Sequence, residues 1–170
     1  MFIGVDVGGT NMSAGLFDDD KNLLATAKVK SKGKKPTGVV LTQLFKVINK
    51  LLDDDNKSSL KAIGIGIAGF VDSAAGVLKF SANLNLDGVC IKDEVSTKFG
   101  LPTFVENDVN AGVIGEWKHG AGIGHKNIVG IFIGTGIGGG LVVNNEFIFG
   151  ETGGAGAVGH MTIDKDGPYC

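Results

Sequence analysis

Two apolar segments that end abruptly in glycines constrain this chain more than any other feature. Residues 130–140 read Gly-Ile-Phe-Ile-Gly-Thr-Gly-Ile-Gly-Gly-Gly, and residues 2–11 read Phe-Ile-Gly-Val-Asp-Val-Gly-Gly-Thr-Asn. In both segments a strand stops, turns on glycine and is followed by a second strand. Glycine permits a positive φ and leaves the backbone amides open to a ligand, and successive amides in such a turn form an anion-binding concavity. We therefore expect the two turns to hold one phosphate chain from two sides.

The later glycine segment also matches the letters of a dinucleotide-binding fingerprint, Gly-x-Gly-x-x-Gly, at residues 134–139. That fingerprint requires a helix directly after the glycines. Residues 141–145 are Leu-Val-Val-Asn-Asn, which predicts a β-hairpin. A Walker A loop is excluded too, because no Gly-Lys-Ser/Thr occurs.

The composition excludes several classes of partner. The net charge is −2 and the chain lacks a long basic block, so we expect no nucleic-acid partner. The most basic segment, residues 28–35, is predicted to be a solvated loop. No apolar run reaches the ~18 residues of a membrane span, and the N-terminus lacks the pattern of a signal peptide. Two widely spaced cysteines are typical of a reducing compartment, so we expect a cytoplasmic protein without a membrane partner.

The order of the predicted elements indicates an α/β fold. Strands are predicted at residues 2–7, 12–17, 22–29, 61–68, 103–105, 127–134, 139–143 and 146–149, and helices at 39–52, 91–99 and 111–117. Alternate glycines at Gly64 and Gly66 leave one face of a strand flat, which predicts close packing against it. Glycines at residues 120–124 predict a hinge, so we expect a small α/β domain over residues 1–119 and the start of a second domain over 120–170.

Asp6 stands just before the first glycine turn. A carboxylate there can hold Mg²⁺ through water, because Mg²⁺ prefers carboxylate and phosphate oxygens and keeps several waters. Thr10 and Asn11 add donors to the same turn. The alternative is a tight hairpin that needs glycine for its dihedral angles alone.

The sequence Glu106-Asn107-Asp108 lies where a short strand becomes a helix. A carboxylate at that position is typical of a helix N-cap. It could also act as a general base that takes a hydroxyl proton while the oxygen attacks a phosphoryl group. The two roles are compatible, because a capping position also fixes the side chain.

Together these motifs resemble the ROK family (repressors, open reading frames and sugar kinases) of the actin-like ATPase superfamily. The resemblance runs through essentially the whole chain and rests on residues 6–11, 64–72, 83–84, 106–111, 134–139 and 154–161. It implies two ribonuclease-H-like domains with a cleft between them, the first complete and the second represented by its opening strands.

The resemblance also implies a role for each matching residue. The ATP phosphates would be held by Gly8, Gly9, Thr10, Asn11, Gly134, Thr135 and Gly136, with Asp6 near Mg²⁺. Asp108 would be the general base for a sugar hydroxyl, and the sugar would be contacted by Asn83, Asn107, Asp108 and His160. In family kinases the histidine also ligates a structural Zn²⁺ with a later group of cysteines, and Cys170 matches the first of them. A lone histidine at the start of an apolar strand is otherwise more often structural.

Two departures from the family pattern stand out. Family sugar kinases usually carry Glu three residues before the histidine, and this chain has Ala157. A lost charged hydrogen bond costs ~1.5–3 kcal/mol, so weaker sugar binding or a different sugar is predicted. Family kinases are also considerably longer, so we expect an N-terminal half. Its strands from residue 127 onward would have unpaired apolar edges, which predicts either a homodimer or folding of the first domain alone.

The function that this resemblance implies is ATP-dependent phosphorylation of a hexose by a glucokinase-like transferase. One alternative is a non-catalytic fragment that binds sugar or nucleotide. Another is a relative of the sugar-sensing repressors without their DNA-binding domain, because the chain begins directly at its first strand.

Overall fold

The structure, a computed structural model, describes residues 1–53, 56–134 and 136–167. The chain forms two compact units, Met1–Ala111 and Gly112–Cys170. The predicted domain boundary at residue 119 stays a prediction. Among the described residues, no helix has both the length and the apolar character needed to cross a membrane.

The first unit contains eight strands and two helices within its described residues, and a third helix begins at its end. In chain order these elements are β1 (Phe2–Val7), β2 (Asn11–Phe17), β3 (Leu23–Lys30), α1 (Thr37–Asn49), β4 (Ala62–Ile67), β5 (Phe70–Asp72), β6 (Val77–Phe80), β7 (Val89–Cys90), α2 (Ile91–Phe99), β8 (Thr103–Asn107) and α3 (Asp108–His119). A single 3₁₀ turn covers Lys57–Ser59.

The main sheet has the order β3-β2-β1-β4-β8. Strand β2 is antiparallel to both of its neighbours, β1 and β3, whereas β4 runs parallel to β1 and β8 runs parallel to β4. One face is apolar and buried, because Ile3, Val5 and Val7 alternate with Gly4 and Asp6 along β1. A mixed α/β architecture around a central sheet is confirmed.

Helix α1 covers this core with the apolar stripe that the sequence predicts. Its buried residues are Val40, Leu41, Leu44, Val47 and Ile48, a spacing that places them on one side of a helix. The helix starts after Pro36, whose missing N–H costs nothing at that position. It ends at Asn49, three residues earlier than predicted.

A small antiparallel sheet of order β5-β6-β7 was not predicted. Its strands have two to four residues each, which is too short for a clear alternating pattern. The helix that follows, α2, ends as predicted at Gly100, whose φ of 68° is the left-handed conformation typical of a helix C-terminus.

The prediction of close packing at the alternate glycines of β4 is half confirmed. A Cβ built on Gly66 would lie 3.4 Å from the Ala111 Cβ and from the Asp108 Cα, so the start of α3 packs against it. A Cβ on Gly64 would meet nothing within 4 Å, so the prediction is wrong at that glycine.

The second unit contains a three-stranded antiparallel sheet of order β11-β10-β9, with β9 at Ile128–Ile133, β10 at Ile137–Val143 and β11 at Glu146–Ile148. Asn144 and Asn145 have φ values of 52° and 64°, the signature of a two-residue type I′ turn. The glycine-rich loop that follows packs closely on β10, because a Cβ on Gly156 would lie 2.9 Å from the Gly140 Cα. The predicted strand at His160 is wrong, since this residue ends a 3₁₀ turn, Val158–His160.

Candidate functional site

The parallel strands of the first unit bring three chain segments to one edge of the sheet. Val7 at the end of β1 is in register with Ile67 at the end of β4, and Ile67 is in register with Asn107 at the end of β8. The first glycine turn (residues 8–11), the turn at residues 68–69 and Asp108 therefore emerge side by side. In open α/β sheets, ligands bind outside the carboxyl ends of the strands.

Asn107 organises the junction between β8 and α3. Its Oδ1 accepts hydrogen bonds from the amides of Val109 and Asn110 at 2.9 and 3.0 Å, which caps the helix. Its Nδ2 donates to the carbonyl of Gly69 at 2.9 Å and to Asp108 Oδ1 at 3.0 Å. One side chain thus ties the helix start to the adjacent β4–β5 turn and orients the carboxylate beside it.

Asp108 is half-buried, and one of its oxygens, Oδ1, accepts hydrogen bonds from the described residues. Oδ1 accepts from the amide of Val109 at 3.0 Å and from Asn107 Nδ2. Oδ2 accepts no hydrogen bond from the described part of the chain. Asn107 therefore does most of the capping, and Asp108 keeps one oxygen for a ligand.

Glu106 stabilises the same junction through two hydrogen bonds to neighbouring residues. Its Oε1 accepts hydrogen bonds from the amide of Asn107 at 2.8 Å and from Asn110 Nδ2 at 3.0 Å. Asn110 is buried, so packing holds the Asn110 end of this contact, whereas Glu106 is half-buried. We regard Glu106 as a support for the neighbouring asparagine and aspartate.

The charges around the Asp6 carboxylate favour the binding of a cation. Although the residue is solvent-accessible, desolvation by surrounding protein atoms raises the pKa of its carboxyl, and the negative charge of Asp108 raises it further. Lys28 lowers the pKa of Asp6; it lies in the same row of the sheet, since Asp6 faces Ser13 and Ser13 faces Lys28. A bound cation would relieve the repulsion between the two carboxylates, and oxygen donors are those that Mg²⁺ takes.

The segment that carries Asn83 is anchored next to the first glycine turn. Leu84 and Leu86 are buried, while Ser81 Oγ donates to the carbonyl of Ala68 at 2.7 Å. A Cβ built on Gly9 would lie 2.7 Å from the Asn83 Cβ. We call residues 81–86 the amide loop; the structure brings it against the glycine turn.

Ser31 and Gly33 also belong to this neighbourhood, and the sequence interpretation missed them. The prediction of a solvated loop at residues 28–35 holds for the exposed lysines at 32, 34 and 35. It is wrong for Lys28 and Lys30, which belong to β3, and for Ser31 and Gly33, which are buried. The hydroxyl of Ser31 donates to the carbonyl of Gly8, and its amide donates to the carbonyl of Thr10 at 3.0 Å. The alternation of lysines with small residues could have signalled a segment with one buried face.

The second glycine turn lies in the second unit, at the end of the β9–β10 hairpin. The amide of Gly134 donates to the carbonyl of Gly136 at 2.8 Å, and a Cβ on either glycine would meet nothing within 4 Å. The backbone at Gly134 and at Gly136 is therefore open to a ligand. A strand, β10, follows the turn, which confirms that the glycines do not begin a dinucleotide-binding helix. Thr135 lies outside the described residues.

The other predicted residues of the second unit are exposed. His160 and Ala157 both lie at the surface of the 3₁₀ turn. Cys170 lies outside the described residues. Among the residues that are described, no group of three or more His, Cys, Asp or Glu side chains could hold a metal ion, so the zinc site stays a prediction.

Comparison with known proteins identifies close relatives of the whole chain. A model of the ROK family matches residues 2–170. A glucokinase of Streptomyces coelicolor is 37% identical over 169 residues, which are 99% of this chain and 51% of the relative. The xylose repressor of Bacillus subtilis is 32% identical over 99% of this chain and 44% of its own length.

A solved structure agrees with the fold. The ROK family glucokinase from Streptomyces griseus, in complex with glucose and AMPPNP, superimposes with a TM-score of 0.85 and 35% identity. The match covers 98% of this chain and 52% of that protein. The fold is therefore that of the actin-like ATPases, and the chain spans about half the length of the curated relatives it matches.

Proposed function

Because this chain belongs to the ROK family, we propose that it carries the first phosphate-binding turn and the general base of an ATP-dependent hexose kinase of the glucokinase type. The observation that supports this most is the arrangement at the carboxyl ends of β1, β4 and β8. There, Asp108, whose Oδ2 accepts no hydrogen bond from the described residues, lies at the same edge as the glycine turn at residues 8–11.

In this proposal Asp108 accepts the proton of a hexose hydroxyl. The hydroxyl oxygen forms a bond to the γ-phosphorus of ATP, the bond from that phosphorus to the bridging oxygen breaks, and its electron pair leaves with ADP. Asn107 keeps the carboxylate oriented through its Nδ2 bond to Oδ1. Asn83, Asn107 and His160 would contact the sugar hydroxyls.

Phosphate binding in the proposal uses backbone amides. Residues 8–11 and residues 134–136 would each offer amides to the phosphate oxygens, since successive amides in a turn attract anions. Asp6 would hold Mg²⁺ through water. When bound, that ion neutralises the charge on the phosphate oxygens.

The central experiment measures hexose-dependent release of ADP by the full chain with Asp108→Asn as the test variant. The substitution keeps the size of the side chain and an oxygen acceptor but removes the base, so kcat should fall by at least about 100-fold. Asp93→Asn is a matched control, because Asp93 also lies in the first turn of a helix, α2, and should leave the rate unchanged. Release that survives Asp108→Asn would contradict the proposed base.

A non-catalytic sugar-binding protein is the second candidate, and two observations favour it. Ala157 replaces the glutamate usual in family kinases, and the relatives include a xylose repressor. Glucose binding without any hexose-dependent ADP release would support this candidate against the kinase. The homodimer and the cytoplasmic location remain predictions.

A further inference from the structure

Residues 31–37, which we call the bridging segment, hold the first glycine turn from behind. Ser31 Oγ donates to the carbonyl of Gly8, and the amide of Ser31 donates to the carbonyl of Thr10 at 3.0 Å. Ser31 is fully buried, with 0% of its surface exposed. The Ser31 end of both bonds is shielded from water, and a buried polar group left without a partner is costly.

These two bonds determine where the amides of the turn point. In a planar trans peptide the carbonyl of one residue and the N–H of the next point in opposite directions. Because Ser31 draws the carbonyls of Gly8 and Thr10 to its own side, the N–H groups of Gly9 and Asn11 point to the other side. Amides that point the same way form an anion-binding concavity. Ser31 therefore determines the side on which the first glycine turn can bind an anion.

The other end of the bridging segment carries the amide loop. The amide of Asn85 donates to the carbonyl of Gly33 at 2.7 Å, and Asn85 Nδ2 donates to the carbonyl of Lys34 at 2.9 Å. Thr37 Oγ1 in turn donates to the carbonyl of Asn85 at 3.0 Å. The amide loop is therefore bonded to the same short segment as the glycine turn.

Gly33 lies where the three segments meet. A Cβ at this position would lie 2.8 Å from the carbonyl oxygen of Gly9 and even closer to that of Asn83. Gly33 is not among the glycines with positive φ, so a side chain is excluded by the close approach alone. Gly33 thus lies against both the glycine turn and the amide loop, and a side chain here would have to push on both.

We propose that the bridging segment couples two ligand positions, with Ser31 and Gly33 as positioning residues. They fix the amides of the first glycine turn relative to Asn83, so that a nucleotide at the turn and a sugar at the amide loop strengthen each other's binding. Such a coupling is reciprocal. The identity of the two ligands rests on the proposed function, whereas the link between the two segments does not.

Hydrogen exchange of the full chain without ligand tests the link. Gly33→Ala should speed amide exchange at least about tenfold in both residues 9–11 and residues 82–86, while β4 stays protected. Gly38→Ala is the matched control, because its Cβ would meet nothing within 4 Å, and it should change neither segment. Ser31→Ala should speed amide exchange at residues 9–11. Ser31→Thr keeps the hydroxyl and should exchange at the wild-type rate there.

Several results would overturn the link. One is faster exchange in the amide loop alone after Gly33→Ala. Others are equally faster exchange across the whole first unit, or an equal effect of the Gly38→Ala control on both segments. The second arm measures AMPPNP affinity with and without glucose. Wild type should show at least about a fivefold gain with glucose, and Ser31→Ala should lose it. A gain absent from wild type would refute the coupling, whereas failure to bind either ligand would refute the proposed function and leave the exchange result to decide the link.

Discussion

The two units of this chain differ sharply in how much apolar surface they bury. In the first unit one continuous cluster runs from Ile3 to Val105 and includes residues of the main sheet, α1 and α2. In the described part of the second unit, Val113 and Val142 are the buried apolar side chains. Ile131 and Ile133, which lie on one face of β9 because they are two residues apart, are 56% and 82% exposed.

This difference separates two kinds of glycine turn. The first is fixed by two core strands, β1 and β2, and by the buried Ser31. The second lies at the end of a hairpin whose strand β9 exposes an apolar face, and exposed apolar patches mark surfaces that interact. The first turn is therefore supported by the core of its own unit, whereas the second turn depends on whatever stabilises its hairpin.

Truncation of one isoleucine in each unit should show most clearly whether the two units differ in buried apolar surface. Ile67 and Ile133 each end a strand, but Ile67 is 0% exposed and Ile133 is 82% exposed. Ile67→Ala should lower the free energy of unfolding by about 2–5 kcal/mol, through lost burial and a cavity. Ile133→Ala should cost less than about 0.5 kcal/mol. Urea denaturation followed by circular dichroism measures both, and equal losses would show that the units do not differ as described.

Ala157→Glu tests whether the second unit contributes to sugar binding. A new charged hydrogen bond to a sugar hydroxyl is worth about 1.5–3 kcal/mol, so glucose affinity measured by calorimetry should rise at least about tenfold. Ala157→Gln is the control, because it adds similar bulk without the charge and should give a smaller gain. Unchanged affinity in Ala157→Glu would remove this position from the proposed sugar site.

The exposed face of β9 offers a test of the predicted homodimer. Wild type should associate as its concentration rises, because burial of apolar surface favours association. Ile133→Lys places a charge on that face and should shift the equilibrium toward monomer in sedimentation measurements. Thr26→Lys on β3 is a control substitution in the first unit, also at an exposed strand position. A stable wild-type monomer whose β9 and β10 amides are protected from exchange would contradict the prediction.

The smallest expected effect concerns the charge of Asp6. Desolvation by surrounding protein atoms and the charge of Asp108 raise its pKa above 3.8 in the folded state. Protonation of Asp6 therefore stabilises the folded protein. This contribution to the free energy of unfolding is fully present below pH 3.8 and is lost as the pH rises through the folded-state pKa. Asp6→Asn should thus stabilise the protein at pH 7, by less than about 1 kcal/mol because the residue is solvent-accessible, and the gain should vanish below pH 3.8.

Substitution of Asp72 should change the stability in the opposite direction from substitution of Asp6. Hydrogen bonds from the amide of Ala75 and from Lys79 lower its pKa, so its contribution to stability is present above pH 3.8 and is lost as the pH falls through the folded-state value. Asp72→Asn should destabilise the protein at pH 7. The same sign for both variants would show that local charge does not control these effects.

The elements that the sequence predicted well are those with a strong local pattern. The stripe on α1 and the alternation in β1 reflect burial of one face, and Glu106-Asn107-Asp108 lies at a strand–helix junction as predicted. Periodicity cannot reveal which of two alternate glycines lies beneath a helix, so Gly64 and Gly66 were indistinguishable. That difference depends on where α3 starts in space.

The bridging segment shows why other site residues escaped prediction. Ser31 is 23 positions from Gly8, and no local pattern reports a hydrogen bond over that separation. The lysines around Ser31 and Gly33 indicated a solvated loop because charge dominated the composition. Burial of the small residues between them follows from β2–β3 pairing and from the arrival of the amide loop, both of which are tertiary effects.

In the proposed function, the carboxyl ends of β1, β4 and β8 form a sugar and nucleotide site. Backbone amide chemical shifts of the full chain, recorded by NMR as glucose and then AMPPNP are added, test it most directly. Glucose should shift the amides of Asn83, Asn107 and Asp108, and AMPPNP should shift residues 8–11. Shifts confined to other parts of the first unit, or no shifts with either ligand, would contradict the account.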